Sequence, residues 1–492
     1  MLLAITMAPF IGLTTGAAFA VAARQSATTK NRPPSGPAAS SDTSSPSTIC
    51  EEDLSVLSNL FRVEPVDNLY FSNVSERGVC VRDAVKEGDV VLSIPITSCF
   101  RDDEPPRWFE HLNLNEGEDD FEYNDEHDIT DYERYSPKSW TTRLAASILD
   151  IDLRCKVESG VDNDVTMGRN LWKNMLPDAD ILRASLPVHW GEEVLSASKC
   201  TALELAVDSA YFARATAALE LGVELRKALP EGDDVSDEEI QRRCHDALDI
   251  VQTRVCRVER KDEETGVQWG PPLRVLAPVF DMINHGSRYL TGVGSANSEF
   301  GIENESVGDL SDARLVVRAI RNIESLEEVR IDYGESARPA WRCLTSYGFV
   351  PDGSSRSAVN EDSPVENAAE LWVNGMRFEV DSHSVPCDLV EVAAAQALLD
   401  GSSLTDSSEV ESEATAGGLT PFVARTISKR ATEAALNLIT EPEMVAEEDY
   451  DNPAYVVSSS LAALLRWDQH NVLLAFAENL KLFSNQQQTQ ET

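Results

Sequence analysis

The stretch Pro278-Val-Phe-Asp-Met-Ile-Asn-His285 constrains this chain more than any other, because Asp281, Asn284 and His285 follow directly on the apolar run Val275 to Phe280. Polar groups that dense beside buried apolar ones need hydrogen-bond partners, or a ligand that supplies them. A second segment, Val329-Arg-Ile-Asp-Tyr333, alternates as a strand does and closes on Gly334. A third, Tyr347-Gly-Phe349, follows a helical pattern over Ser336 to Leu344, with Pro339 tolerable in its first turn. The three are expected to come together as one pocket.

A length of 492 residues predicts two or three domains, and 42% hydrophobic with 7% aromatic residues suits a globular chain. The 84 acidic against 42 basic residues give a formal charge of −42. That argues against a nucleic-acid surface, which needs basic stripes. It fits steering of a basic protein partner, or solubility alone. Nine cysteines without a C-x-x-C pair support neither a disulfide framework nor a zinc site. Seven histidines with no H-E-x-x-H, and no G-x-S-x-G, leave metal-dependent and serine hydrolase readings unsupported.

Residues 1–23 carry no charge and are mostly apolar or small, and Gly16-Ala-Ala-Phe-Ala20 fits a cleavage site. Arg24, Lys30 and Arg32 then lie among Ser, Thr, Ala and Pro, which is transit-peptide composition. Residues 1–48 are therefore read as a targeting segment and linker. The order resembles plastid targeting in algae with secondary plastids, with a membrane anchor, cytoplasmic residence and secretion as the alternatives. The sequon Asn73-Val-Ser75 speaks against secretion, since a glycan there would obstruct the neighbouring Gly78 loop.

Gly78 to Pro95 reads as a hairpin, Val79 to Val81 turning at Lys86-Glu-Gly88 into Val90 to Ile94. The acidic stretch 102–135 reads as an exposed loop. Helical periodicity begins at Thr141 with the stripe Leu144, Ile148 and Ile151, and continues over Leu203 to Leu229. Ser236-Asp-Glu-Glu239 is a capping box that opens a helix to about Val258. His189 is read as a structural histidine. Beyond a polar linker to about 368, Trp372-Val-Asn-Gly-Met-Arg-Phe378 signals a hairpin. Helices are expected over Thr420 to Ile439 and Ala454 to Phe483, with 402–418 as a loop.

Four segments in this order resemble SET-domain methyltransferases of the Rubisco large-subunit lysine methyltransferase type. They are Arg77-Gly-Val-Cys-Val-Arg82 followed by Gly88 and Ile94-Pro95; Pro278, Asp281, Asn284 and His285; the strand ending at Tyr333; and Tyr347-Gly348-Phe349. Lesser matches are Asn170-Leu-Trp-Lys-Asn-Met-Leu-Pro177, Pro187-Val-His-Trp190, Val251-Gln-Thr-Arg254 and Leu465-Arg-Trp-Asp-Gln-His-Asn-Val-Leu473. The resemblance implies an α+β fold: a SET domain (49–352) of short β-sheets with a knotted active site and a helical insertion (about 139–265). A C-terminal all-helical substrate-binding domain (353–492) would follow. It implies S-adenosylmethionine as co-substrate, no metal, and a lysine of a protein, possibly a basic one, as acceptor. Nucleic acid and, in the mature form, membrane are not expected partners, and the chain is expected to be a monomer. The same resemblance makes Tyr333 and Tyr347 the catalytic pair. It carries cofactor contacts to Arg77, Gly78, Val79, Arg254, Asp281, Asn284, His285, Tyr333 and Phe349. Two departures stand out: Ala337-Arg-Pro339 replaces the usual Asn after the strand tyrosine, and Leu326 replaces a glycine before the last strand. A histidine acceptor, or a SET-fold module that binds a partner without catalysis, are the alternative readings.

Overall fold

The computed structural model describes residues 51–65, 67–72, 78–110, 139–157, 164–230, 232–260, 268, 270–286, 295–303, 309–333, 339–351, 369–381, 384–401, 418–439 and 452–490. Arg77, the sequon, most of the acidic loop, residues 334–338, the linker before 369 and the targeting segment lie outside them. The fold is α+β. In chain order come α1 (Glu51–Phe61), β1 (Leu69–Ser72), β2 (Gly78–Val81), β3 (Val90–Pro95), β4 (Phe100–Arg101) and α2 (Arg107–Glu110). A helical block follows: α3 (Trp140–Val157), α4 (Asp164–Met175), α5 (Ala179–Ser185), α6 (Glu192–Ala197), α7 (Thr201–Ala228) and α8 (Asp237–Arg254). Then come β5 (Cys256–Val258), β6 (Leu273–Leu276), β7 (Asn284–His285), β8 (Ser298–Glu303), β9 (Arg314–Ala319), β10 (Arg330–Ile331) and α9 (Ala340–Tyr347). The chain closes with β11 (Ala369–Val373), β12 (Met376–Val380), α10 (Cys387–Gly401), α11 (Pro421–Ile439) and α12 (Pro453–Gln490).

The sheets are short. One has the order β3-β9-β8-β10-β7, another β4-β6-β5, and β1-β2 and β11-β12 form two ribbons. β10 runs parallel to both β7 and β8, while the other pairs are antiparallel. β2 and β3 do not form the expected hairpin. β2 pairs with β1 and β3 with β9, so the Lys86–Gly88 turn links two sheets. Gly88 takes φ +85° there, and its N–H reaches the Ala319 carbonyl. The expected exposed insertion also begins later than Asp102. Asp102 accepts from the Arg274 N–H, and Phe109 is buried in the core.

The helical pattern is seated as its periodicity predicts. Leu144, Ile148 and Ile151 are buried, and Ser236 Oγ accepts from the Glu239 N–H at the start of α8. That helix stops at Arg254, and the β-branched stretch to Val258 becomes β5. The C-terminal unit is not all-helical: β11 and β12 form a ribbon turned by Asn374 (φ +52°) and Gly375 (φ +77°), and α10, α11 and α12 pack against it. Nor is it separate from what precedes it. Val457, Leu461 and Leu465 of α12 share a third core with Trp190, Leu203 of α7, and Ala340 and Leu344 of α9. Among the described residues no helix is long and apolar enough to cross a membrane.

Candidate active site

The site begins where β6 runs out. Val279 takes φ +74°, which a β-branched residue adopts only under constraint, and a 3-10 turn over Phe280–Met282 sets down β7. β7 is only Asn284 and His285, paired in parallel with Arg330 and Ile331 of β10. That register brings Tyr333, two residues beyond Ile331, against His285. The Tyr333 N–H donates to His285 Nδ1 (3.3 Å). From the other side α9 ends on Gly348, whose φ of +77° turns the chain so that Phe349 returns toward Tyr333.

Four rings therefore converge. Tyr333 lies 5.1 Å from Tyr347, 6.2 Å from Phe349 and 5.3 Å from His285, centroid to centroid, and His285 lies 5.6 Å from Phe349. Both phenols spend their protons on backbone carbonyls: Tyr333 OH donates to Ile283 O (2.6 Å) and Tyr347 OH to Tyr333 O (3.0 Å). A phenol oxygen so engaged keeps its lone pairs to accept from another donor. Burial, with the neighbouring Tyr347 hydroxyl, pushes the Tyr333 phenol well above its usual range, so it stays protonated at neutral pH. His285 is held down to about 4, by burial first and Arg330 second, so the ring is neutral. Because Nδ1 accepts the Tyr333 N–H, its proton belongs on Nε2.

Arg254 and Asp281 form the wall behind the rings. The Asp281 side chain is wholly buried and accepts from Arg254 Nη1 (3.0 Å) and Trp172 Nε1 (3.1 Å), while Arg254 also donates to the Asp281 carbonyl (2.8 Å). Burial pushes this carboxyl above its usual range in spite of Arg254. The pair is incompletely satisfied: Arg254 Nε and Asp281 Oδ1 are buried without partners. One orphan donor beside one orphan acceptor suits the carboxylate and ammonium of an amino-acid end.

On the Gly78 side, Asn284 Nδ2 donates to Glu328 Oε1 (2.7 Å), and Arg330 holds the other Glu328 oxygen (2.6 Å). A Cβ on Gly78 would meet the Glu328 carboxylate and come to 3.0 Å from Asn284 Nδ2, so a side chain there would require the Glu328–Asn284 pair to move. Val79 is fully buried, and its carbonyl accepts from the Val329 N–H. Gly78, Asn284, His285, Tyr333, Tyr347 and Phe349 thus gather around one place, with Asp281 and Arg254 adjoining. Glu328 and Trp172 escaped the sequence reading. Glu328 gave no signal beyond its strand position, whereas Trp172 sat inside a segment already singled out. His189 pairs with the buried Asp249 of α8. Among the described residues no group of three or more His, Cys, Asp or Glu is placed to hold a metal ion.

No protein-family model matches the chain, and no curated protein matches it. Among solved structures it is similar to the SET domain of LSMT bound to lysine and AdoHcy, with 15% identity, a TM-score of 0.48, and 89% of this chain and 92% of that chain covered. It is also similar to the SET domain of LSMT bound to MeLysine and AdoHcy (15% identity, TM-score 0.46, 88% and 93% covered). A further similar structure is Rubisco LSMT bound to AdoMet (14% identity, TM-score 0.46, 88% and 93% covered).

Proposed function

We propose that the chain is a SET-fold, S-adenosylmethionine-dependent protein methyltransferase that transfers methyl groups to a lysine ε-amine of a protein. The observation that carries this is the pair of phenols, Tyr333 and Tyr347, in ring contact inside an aromatic enclosure, each giving its hydroxyl proton to a backbone carbonyl. When bound, S-adenosylmethionine supplies a methyl group on a sulfonium. The chain's own part is positioning and desolvation. The phenol oxygens accept N–H bonds from an incoming amine and aim its lone pair. A lysine amine with an ordinary pKa near 10.4 is charged in water, and an apolar enclosure favours its neutral form. Neither a protonated Tyr333 nor a neutral His285 adds charge of its own. The rings of Tyr333 and Phe349 offer π-faces to a cation.

In this reading Arg254 and Asp281 hold the amino-acid end of the cofactor, because their orphan atoms are complementary to it. Arg77, Gly78, Val79, Asn284 and His285 contact the remainder, largely through backbone and amide groups. Plastid residence is proposed from the first forty residues; a reporter fused to them that stays cytosolic refutes it.

The test is transfer of labelled methyl from S-adenosylmethionine into proteins of a plastid extract, with cofactor binding measured separately by calorimetry. The expected result is a label on lysine that Tyr333→Phe lowers by roughly 10²-fold or more and Asn284→Ala weakens through cofactor binding. Label on histidine would correct the acceptor. Failure of the full chain to bind the cofactor would overturn the proposal.

A further inference from the structure

The 28-residue helix α7 is apolar on two opposite faces. Its inner face buries Leu203, Ala217, Leu221 and Leu225 in the cores described above. Its outer face carries Leu205, Phe212 and Leu219 at heptad spacing, with Val223 one turn beyond, and each is more than half exposed. Phe212 reaches 76%, and the exposed ring of Tyr211 stands edge-on beside it at 5.6 Å. A surface helix ordinarily turns polar side chains outward, and one that is apolar all round belongs in an interior. The exposed parts of these five side chains add up to roughly 500 Å². A contiguous patch of that size is commonly an interaction site.

The stripe itself points to what covers it. Apolar residues repeating every seven along one helix form the seam that packs against another helix of the same repeat. This seam is self-complementary about a two-fold axis between Ala215 and Thr216. A second, antiparallel copy sets Phe212 against Leu219 of the partner subunit, and the reverse, with small side chains at the axis where the helices come nearest. The charges fix the direction. Glu204 and Asp208, at the N-terminal end, are in no ion pair among the described residues, and burial, then Glu370 and Asp208, push the Glu204 carboxyl above its usual range. Arg226 and Lys227, at the other end, pair with Asp237 and Glu224 through exposed heads, and surface pairs of this kind hold their partners weakly. Antiparallel helices bring each acidic end to a basic one, whereas parallel helices would set like against like.

We propose that α7 is a dimerisation helix, which pairs antiparallel with α7 of a second copy of this chain. Two such patches bury about 1,000 Å² of apolar surface, at the lower limit for a specific interface, so the dimer is a weak one. Each copy carries a charge of −42, but in about 0.15 M salt the screening length is only about 8 Å, and charges away from the seam are muted. A dimer departs from the monomer that the family resemblance implies, and it stands whether or not the chain transfers methyl groups.

The test is sedimentation velocity on the full chain over a concentration series spanning the micromolar range. A reversible monomer–dimer equilibrium is expected, with Phe212→Asp and Leu219→Asp each raising the dissociation constant roughly tenfold or more. Both side chains point outward, so the thermal midpoint of the dilute monomer should not fall with either change. The register is read with a short bismaleimide in a Cys387→Ser background, since Cys387 is exposed. Thr216→Cys, at the axis, should cross-link; Leu205→Cys, about 30 Å from its own copy across the dimer, should not. A monomer at every concentration, a dimer indifferent to both aspartates, or cross-linking through Leu205→Cys rather than Thr216→Cys would overturn the assignment.

Discussion

Leu326 offers a direct test of the backbone that leads into the site. It occupies the turn before β10 with φ +68° and is 68% exposed. The turn is fixed on either side: the Leu326 N–H donates to Val81 O (2.8 Å), and the Glu327 N–H to Glu324 O (3.0 Å). A non-glycine residue held left-handed costs about 1–2 kcal/mol. Glycine avoids that cost but gives back about 0.5–1 kcal/mol through its greater freedom in the unfolded chain. Leu326→Gly is therefore expected to exceed Leu326→Ala by about 1 kcal/mol, since both lack the leucine side chain and differ only in the Cβ. Against the wild type the gain shrinks toward zero, because the third of the leucine that is buried contributes roughly 0.5 kcal/mol. Leu326→Val, β-branched at positive φ, should fall below alanine. The assay is the urea midpoint at unchanged slope, where 1 kcal/mol corresponds to a few tenths of a molar for a slope of about 3 kcal/mol/M. If alanine matches glycine, or valine matches alanine, the left-handed turn is not what position 326 is paying for.

Two further outcomes follow from the same geometry. Gly348→Ala adds to a φ of +77° a Cβ only 2.5 Å from Ser185 Oγ, and is expected to cost about 2–4 kcal/mol; Ser185→Ala in the same chain should restore at least about 1 kcal/mol by urea denaturation, and additive effects would refute the contact. For His285 the folded pKa of about 4 lies below the ordinary value, so the unfolded state binds the extra proton. Stability should then rise with pH across roughly 4 to 6.5 and be lost as pH falls through that window, by up to about 3 kcal/mol. Calorimetric midpoints for wild type and His285→Gln should converge at low pH; parallel curves would mean that folding leaves the His285 pKa unshifted.

Much of this arrangement was legible because it is local. The apolar run into Asp281, the capping box at Ser236 and the Asn374-Gly375 turn each fix their backbone within a few residues, while the alternation ending at Tyr333 pairs as a strand only over Arg330–Ile331. Pairing is not local. Nothing in Val79–Val81 distinguishes a partner in β3 from one in β1, since all its side chains are buried and both neighbours are apolar. Glu328 is likewise invisible in sequence: its importance comes from lying beside Asn284, 44 residues away, with Gly78 directly behind it. The packing of the C-terminal helix is not local either. The stripe of α12 is continuous, and only packing shows that Leu461 and Leu465 leave the C-terminal core for the one around α9.

That division of α12 bears on how Tyr347 is held. The helix that carries it is short, spanning Ala340–Tyr347, and helices of that length are marginal in water. Three distant parts of the chain fix it. Leu344 shares a buried core with Leu461 and Leu465 from the C-terminal unit, the Thr345 carbonyl accepts from Gln252 of the helical insertion, and Gly348 lies against Ser185 at the end of α5. Tyr333, by contrast, is fixed by the sheet itself, through the pairing of β10 with β7 and the Ile283 carbonyl. The two phenols thus rest on different elements and meet through the Tyr347 OH to Tyr333 carbonyl bond, with 5.1 Å between their rings. The helical insertion and the C-terminal unit therefore both contribute to where Tyr347 stands.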